Sequence, residues 1–194
     1  MVKLIGVNKI NTAVFISGNG SNLKSLLNFF SNKNSKIQIK LILSNNAKAK
    51  GLKYAEIFKI KKKIIIYKDL KLAENKILLH LKKEKIELVC LAGFMQLLSR
   101  RFINSFDGKI VNIHPSLLPK YKGLNTHERA IKKKEEFSGC TVHYVNYKVD
   151  SGKIIMQKKV KITKKDTVKT LSKKILKQEH LLYPKALKKI LINR

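Results

Sequence analysis

Thr12-Ala-Val-Phe-Ile-Ser17 runs straight into Gly18-Asn-Gly-Ser-Asn-Leu23, and this junction decides the fold. The first half is rich in β-branched and apolar residues and reads as a strand. Gly18 and Gly20 then turn the chain, and Leu23, Leu26, Leu27 and Phe30 recur at helical spacing. The same rhythm continues outward. Strands are expected over 37–43, 64–67, 88–92, 109–113, 140–146 and 153–162. Helices are expected over 51–58, 70–85, 99–106, 126–134 and 166–192, with Asp166 and Thr167 placed to cap the last. The run over 88–92 is apolar at successive positions, as a strand buried on both faces of a parallel sheet requires. Alternating strands and helices give an α/β fold, a mainly parallel twisted sheet with helices on both faces. No internal repeat or Pro/Gly/Ser-rich linker divides the chain, so a single domain over 1–194 is expected.

Composition narrows the setting. No apolar run approaches the roughly 20 residues of a membrane span, and Met1 to Ile10 has no apolar core followed by a small-residue cleavage site, so it does not read as a signal peptide. A soluble, cytoplasmic protein without a membrane partner follows. Cys90 and Cys140 lie far apart and outside any zinc-binding spacing; they read as packed, reduced thiols, and no metal is expected. The 43 Lys and Arg against 12 Asp and Glu give a formal charge of +31, which on its own raises the expectation of a nucleic-acid partner. The lysines, however, are spread over 59–63, 82–85, 132–134 and 158–165 without interleaved aromatics, so no specific nucleic acid is expected. Compositional drift onto solvated faces and steering of anionic ligands both remain compatible with that charge.

Three short segments carry chemistry. Ile16-Ser-Gly-Asn-Gly-Ser-Asn-Leu23 closes a strand and opens a helix, so backbone N–H groups can approach an anion at the positive helix end. It reads equally as an ordinary tight turn; Leu23 stands where a dinucleotide fingerprint needs a third glycine, which favours a mononucleotide phosphate. In Val111-Asn-Ile-His-Pro115, period-two spacing puts Asn112 and His114 on one side of a strand. Pro115 ends the pairing there, at the sheet edge where open α/β sheets bind ligands. An amide beside an imidazole suits a reaction that builds negative charge on a carbonyl oxygen, although a histidine before a proline is also an ordinary structural residue. Val149-Asp-Ser-Gly152 is, by itself, simple turn chemistry.

Taken together and in this order with Leu91-Ala-Gly-Phe-Met95, Lys120-Tyr-Lys-Gly-Leu-Asn-Thr-His127 and Gln178-Glu-His-Leu-Leu-Tyr-Pro184, these segments closely resemble the folate-dependent glycinamide ribonucleotide formyltransferases, from about Thr12 to Pro184. The resemblance implies a Rossmann-like formyltransferase fold that binds the ribonucleotide in its N-terminal half, and folate and the catalytic group in its C-terminal half. It implies formyl transfer from 10-formyltetrahydrofolate, as co-substrate, to the amine of glycinamide ribonucleotide in purine synthesis. Asn112, His114 and Asp150 would be catalytic: the first two stabilise an oxyanion, and Asp150 favours protonated His114 and accepts a proton. Gly20, Ser21 and Asn22 would hold the phosphate and Glu179 the glycinamide end. Met95, Gln96, Leu97, Leu98, Asn112, Asn146, Tyr147, Lys148, Val149 and Asp150 would line the folate pocket.

His143 reads equally as a support for Asp150 or as structural. Two residues depart from the family pattern: Gln96 stands where a basic residue is usual, and Asn125 where histidine is. A monomer or weak homodimer is expected. Rival readings are formylation of another amine, an amino sugar or an initiator tRNA, and a degenerate basic nucleic-acid-binding protein. Methionyl-tRNA formyltransferases carry a further C-terminal domain and usually differ at the position of Pro115, and formyltetrahydrofolate hydrolases carry a preceding regulatory domain, so both sister groups fit less well.

Overall fold

The computed structural model describes residues 9–32 and 34–192. Residues 1–8 of the stretch read as lacking a signal peptide lie outside them. The central strand β1 (Ile10–Ile16) is followed by α1 (Ser21–Phe30) and β2 (Ile37–Ser44). A short 3-10 turn, Lys50–Leu52, leads into α2 (Lys53–Ile57), β3 (Lys61–Ile64) and α3 (Leu70–Lys83). Then come β4 (Leu88–Leu91), α4 (Arg100–Ser105), β5 (Lys109–His114), α5 (Thr126–Lys132), β6 (Phe137–Tyr144), β7 (Ile154–Lys161) and α6 (Val168–Ile192). The seven strands lie in the order β3-β2-β1-β4-β5-β6-β7. The first five are parallel, and β6 pairs antiparallel with β5 on one side and with β7 on the other. The expected α/β sheet is therefore the one observed.

Period-two alternation in β1 divides the core between the two faces of the sheet. Val14 and Ile16 pack with Leu23, Leu26, Leu171 and Ile175 from α1 and α6. Ala13 and Phe15 pack with Ile77, Leu81 and Phe102 from α3 and α4. The chain leaves β1 to one side for β2 and β3 and returns on the other for β4 and β5. Such a reversal opens a crevice at the carboxyl ends of the two central strands, where open sheets bind ligands.

Helix α6 shows how local chemistry fixes this frame. Thr167 and Thr170 cap its start reciprocally, each side-chain oxygen accepting the other's backbone N–H, at 2.9 and 3.2 Å. Pro184 lies inside the helix and has no N–H to offer the carbonyl of His180. That carbonyl instead accepts the Ser25 hydroxyl from α1 at 2.6 Å, tying the two helices together.

Three expected elements are corrected. The strand expected over 64–67 is formed by Lys61–Ile64. Its lysines obscured the pattern, and charge at this outer position is the usual protection of a sheet edge. The helix expected over 51–58 is divided between the 3-10 turn and α2, because the Gly51 N–H is drawn to the Gly18 carbonyl at 3.0 Å. β6 begins at Phe137, before the expected 140, with Gly139 so close to β7 that a Cβ would lie 2.1 Å from the Lys158 carbonyl oxygen. Cys90 and Cys140 are buried free thiols, each pushed up to about 12 by burial. No helix among the described residues is long and apolar enough to cross a membrane.

Candidate active site

The loop after β1 sits at the crevice. Gly20 adopts a left-handed conformation, with φ of 69°, at the N-cap of α1. Among the described residues no side chain caps that end and its first turn holds no acid, which leaves the positive helix end open to an anion. Opposite, the loop after β4 is held to it: Ser17 N–H donates to the Gly93 carbonyl at 3.0 Å, and Ser17 Oγ accepts the Met95 N–H at 2.7 Å. Between them lies a pocket of about 370 Å³, lined by Gly18, Gly20, Ser21, Asn22, Met95, Pro115, His127 and Glu179 among others.

Glu179, from α6, closes the wall of this pocket. It is buried, and its Oε2 accepts Asn22 Nδ2–H at 2.7 Å. Burial raises its carboxyl above the ordinary glutamate range, partly opposed by the Asn22 bond. Asn22 Oδ1 is itself buried without a partner among the described residues, an unmet acceptor that a ligand N–H or O–H can fill. Replacing Glu179 by Gln keeps the shape but sets an N–H₂ group where an acceptor stood. A rise of about tenfold in the KM for an amine-bearing ribonucleotide is expected, the scale of one lost hydrogen bond to a charged group; an unchanged KM removes Glu179 from substrate binding.

The second cluster lies at the end of β5, beside that pocket. Asp150 is brought in by the loop after β6, with φ of 47°. Its Oδ2 lies 3.3 Å from His114 Nδ1 and accepts the Gly123 N–H at 2.8 Å. Its Oδ1 lies 3.5 Å from both Asn112 Nδ2 and His143 Nε2. Asn112 Nδ2 also lies 3.3 Å from His143 Nε2, and His143 Nδ1 lies 2.8 Å from the Tyr144 carbonyl oxygen. The Tyr144 carbonyl accepts His143 Nδ1–H, which leaves Nε2 facing both Asn112 Nδ2 and Asp150 Oδ1. The adjacent strands β5 and β6 pair Asn112 with His143, which fixes this contact.

Burial pushes the Asp150 carboxyl up, but His143, the Gly123 amide and the charge of the His114 imidazole outweigh it and hold the acid below its ordinary value. Opposed effects act on His114. Both its nitrogens face acceptors, Asp150 and, at 2.9 Å, the Tyr121 carbonyl, which favours the protonated form. Burial nevertheless dominates, and its pKa falls below that of an ordinary histidine. Asp150 thus acts on His114 in the expected direction, favouring its protonated form, while desolvation pulls the net shift the other way.

Of the residues assigned to a folate pocket, Met95, Gln96 and Leu97 stand exposed on the loop after β4, with Leu98 half-buried. Tyr147, Lys148 and Val149 stand exposed on the loop after β6, with Asn146 and Asp150 half-buried. Two groups at Asp150 and His114 were absent from the sequence expectation: the Gly123 amide and the Tyr121 carbonyl. Both are backbone atoms whose direction depends on left-handed turns at Tyr121 and Gly123, with φ of 56° and 76°. Ser17 and His127 were also unassigned; a hydroxyl that bridges two loops leaves no signature in sequence spacing. Among the described residues no three His, Cys, Asp or Glu side chains gather into a metal-holding group.

The family described as formyl transferase matches residues 10–187. The trifunctional purine biosynthetic protein adenosine-3 of Homo sapiens is 44% identical over 182 residues, which are 92% of this chain and 18% of that relative; the chain thus spans under a fifth of the trifunctional proteins it matches. The phosphoribosylglycinamide formyltransferase of Haemophilus influenzae is 38% identical over 179 residues, covering 91% of this chain and 84% of the relative. The solved structure of the phosphoribosylglycinamide formyltransferase from Brucella melitensis superposes with a TM-score of 0.89 at 40% identity, covering 94% of this chain and 95% of that one.

Proposed function

The chain belongs to the formyl transferase family, and from that premise we propose that it transfers the formyl group of 10-formyltetrahydrofolate to the primary amine of glycinamide ribonucleotide, a step of purine synthesis. One observation carries the reading: Asn112, His114 and Asp150 converge at the end of β5, beside a pocket that combines an uncapped helix N-terminus with a buried carboxylate. The helix end suits a phosphate, Glu179 suits the glycinamide end, and the cluster lies where the amine would emerge.

The amine nitrogen attacks the formyl carbon, a C–N bond forms, and the carbonyl oxygen becomes an oxyanion. Asn112 is the donor for that oxygen. Its contacts of 3.3 and 3.5 Å are long, so an N–H can turn to a stronger acceptor at little cost. His114, anchored by the Tyr121 carbonyl at Nε2, faces Asp150 with Nδ1 and positions that acid beside the amine. Asp150 is ionised and accepts the ammonium proton; the bond from carbon to folate N10 then breaks, and N10 takes up a proton. The formylated amide and tetrahydrofolate leave.

The direct test incubates the purified protein with glycinamide ribonucleotide and 10-formyltetrahydrofolate and follows the folate absorbance, with an amino sugar and an initiator tRNA as parallel acceptors. Turnover with the ribonucleotide is the expected result. Turnover confined to one of the other amines overturns the substrate assignment while retaining formyl transfer, and no turnover with any acceptor overturns the reaction itself.

A further inference from the structure

We propose that Glu74 is a positioning residue for the folate half of the site: reaching from α3, outside the crevice, it fixes the far end of the loop after β4 and so presets residues 95–98 for the second substrate. The inference rests on the proposed function, which brings a folate to that loop, and it adds a residue that touches neither substrate. The Glu74 carboxylate stands where the pattern of α3 calls for an apolar side chain. Ala73, Glu74, Ile77 and Leu81 form the buried face of that helix, and Glu74 is only 1% exposed. Burial of a carboxylate is costly unless hydrogen bonds replace the water it loses.

The donors that replace it all come from the join between the loop and α4. Glu74 Oε1 accepts the Ser99 N–H at 2.7 Å, and Oε2 accepts the Ser99 hydroxyl at 2.5 Å and faces Arg101 Nη2 at 3.5 Å. With its proton committed to Glu74, Ser99 Oγ accepts the Phe102 N–H at 3.0 Å and caps α4. The near end of the loop is held separately, by Ser17 at Gly93 and Met95 and by Phe94, whose ring meets Phe15 and Tyr67 edge-on. Between the two ends Gln96, Leu97 and Leu98 make no hydrogen bond among the described residues, and Met95 and Leu97 are 66% and 71% exposed. Their path therefore depends on the two anchors. A ligand that packs on them meets a surface already ordered, which lowers the entropy lost on binding. The anchors differ in reach: Ser17 lines the pocket with Gly20 and Glu179, whereas Glu74 and Ser99 do not. Loss of the Glu74 anchor should therefore be felt by the folate and not by the ribonucleotide.

A buried carboxylate also contributes to stability, so the experiment must separate positioning from a general loosening. The proteins compared are the wild type, Glu74→Gln, Ser99→Ala, the double variant and Ile77→Val. The last is a control on the same buried face of α3, which trims packing and leaves the hydrogen bonds of the loop intact. KM for each substrate and kcat are measured well below the melting temperature of each protein. Glu74→Gln keeps the volume and sets an N–H₂ group where one acceptor stood. It should raise the KM for 10-formyltetrahydrofolate about tenfold, the scale of ordering two freed side chains on binding, and change the ribonucleotide KM by less than about twofold. Ser99→Ala should give the same split, and carries the test alone if Glu74→Gln does not fold. The rise in the double variant should fall short of the product of the two single rises, because both substitutions break one link. Ile77→Val should melt earlier with both KM values unchanged. An unaltered folate KM in Glu74→Gln and Ser99→Ala overturns the positioning role and leaves the formyl transfer standing. So does a parallel rise of both KM values, or a folate defect reproduced by Ile77→Val, either of which assigns the effect to stability. Absence of turnover in the wild type overturns the function and the positioning role together.

Discussion

Asp150→Asn is expected to lower turnover about 10³-fold, within the range for removal of a positioned general base, while the KM for the ribonucleotide changes less than about threefold. Asparagine is the informative replacement. Asp150 holds a left-handed backbone with φ of 47°, which Asn tolerates as Asp does, so the loop can keep its path and lose only the charge. The carboxylate contacts His114, Asn112 and the Gly123 amide, whereas it is not among the residues lining the pocket with Gly20 and Glu179. The defect should therefore fall on kcat. Because the wild-type acid is held below its usual 3.8, it loses its proton below that value and stays ionised throughout the neutral range. The ratio of wild-type to variant kcat should consequently be the same at about pH 6 and about pH 8. Steady-state kinetics at the two pH values, with thermal melting to confirm the fold, make the check. Unchanged turnover, or a defect confined to KM, removes Asp150 from proton transfer.

The sequence carried this site unevenly. Asn112 and His114 were legible because period two in one strand places them on one side, and Pro115 marks where the strand ends. Asp150 was not: its turn reads like any other, and only the antiparallel pairing of β5 with β6 brings the loop after Tyr144 back over the end of β5. The resemblance to a family supplied that long-range fact. His143 was left open for the same reason. Its position opposite Asn112 follows from strand register, and register across a long connection leaves no local trace in the chain.

The fold was more accessible, because each face of the sheet needs apolar residues at a fixed spacing and β1 supplies both sets. Errors arose where charge or glycine masked the pattern. Three lysines lie in the outermost strand, where solvent accepts them, and Ser138 and Gly139 open β6 against the close backbone of β7. The lowered pKa of His114 depends on burial, which no residue pairing read from sequence conveys.

Gly20→Val should raise the KM for glycinamide ribonucleotide by about tenfold or more, since loss of even one hydrogen bond to a charged phosphate is of that size. The sequence suggests that a side chain would obstruct the phosphate, but the structure supplies a different cause. A Cβ on Gly20 would lie 2.7 Å from Gly51 Cα, and the residue holds φ of +69°. Backbone opposes it on one side and torsional strain acts from within, so the loop itself must move and carry the N–H groups at the start of α1 out of alignment. Gly51→Ala should reproduce the defect from the other side, because its Cβ would meet Ile16 Cδ1 at 2.7 Å and Gly20 Cα at 2.8 Å. Gly18→Ala should leave the loop and the melting temperature unaltered: its Cβ meets nothing within 4 Å. The KM values of the three variants, read with their melting temperatures, test the close approach of the two loops as the support of the phosphate site. A folded Gly20→Val protein with a normal KM would show that the ribonucleotide phosphate binds elsewhere.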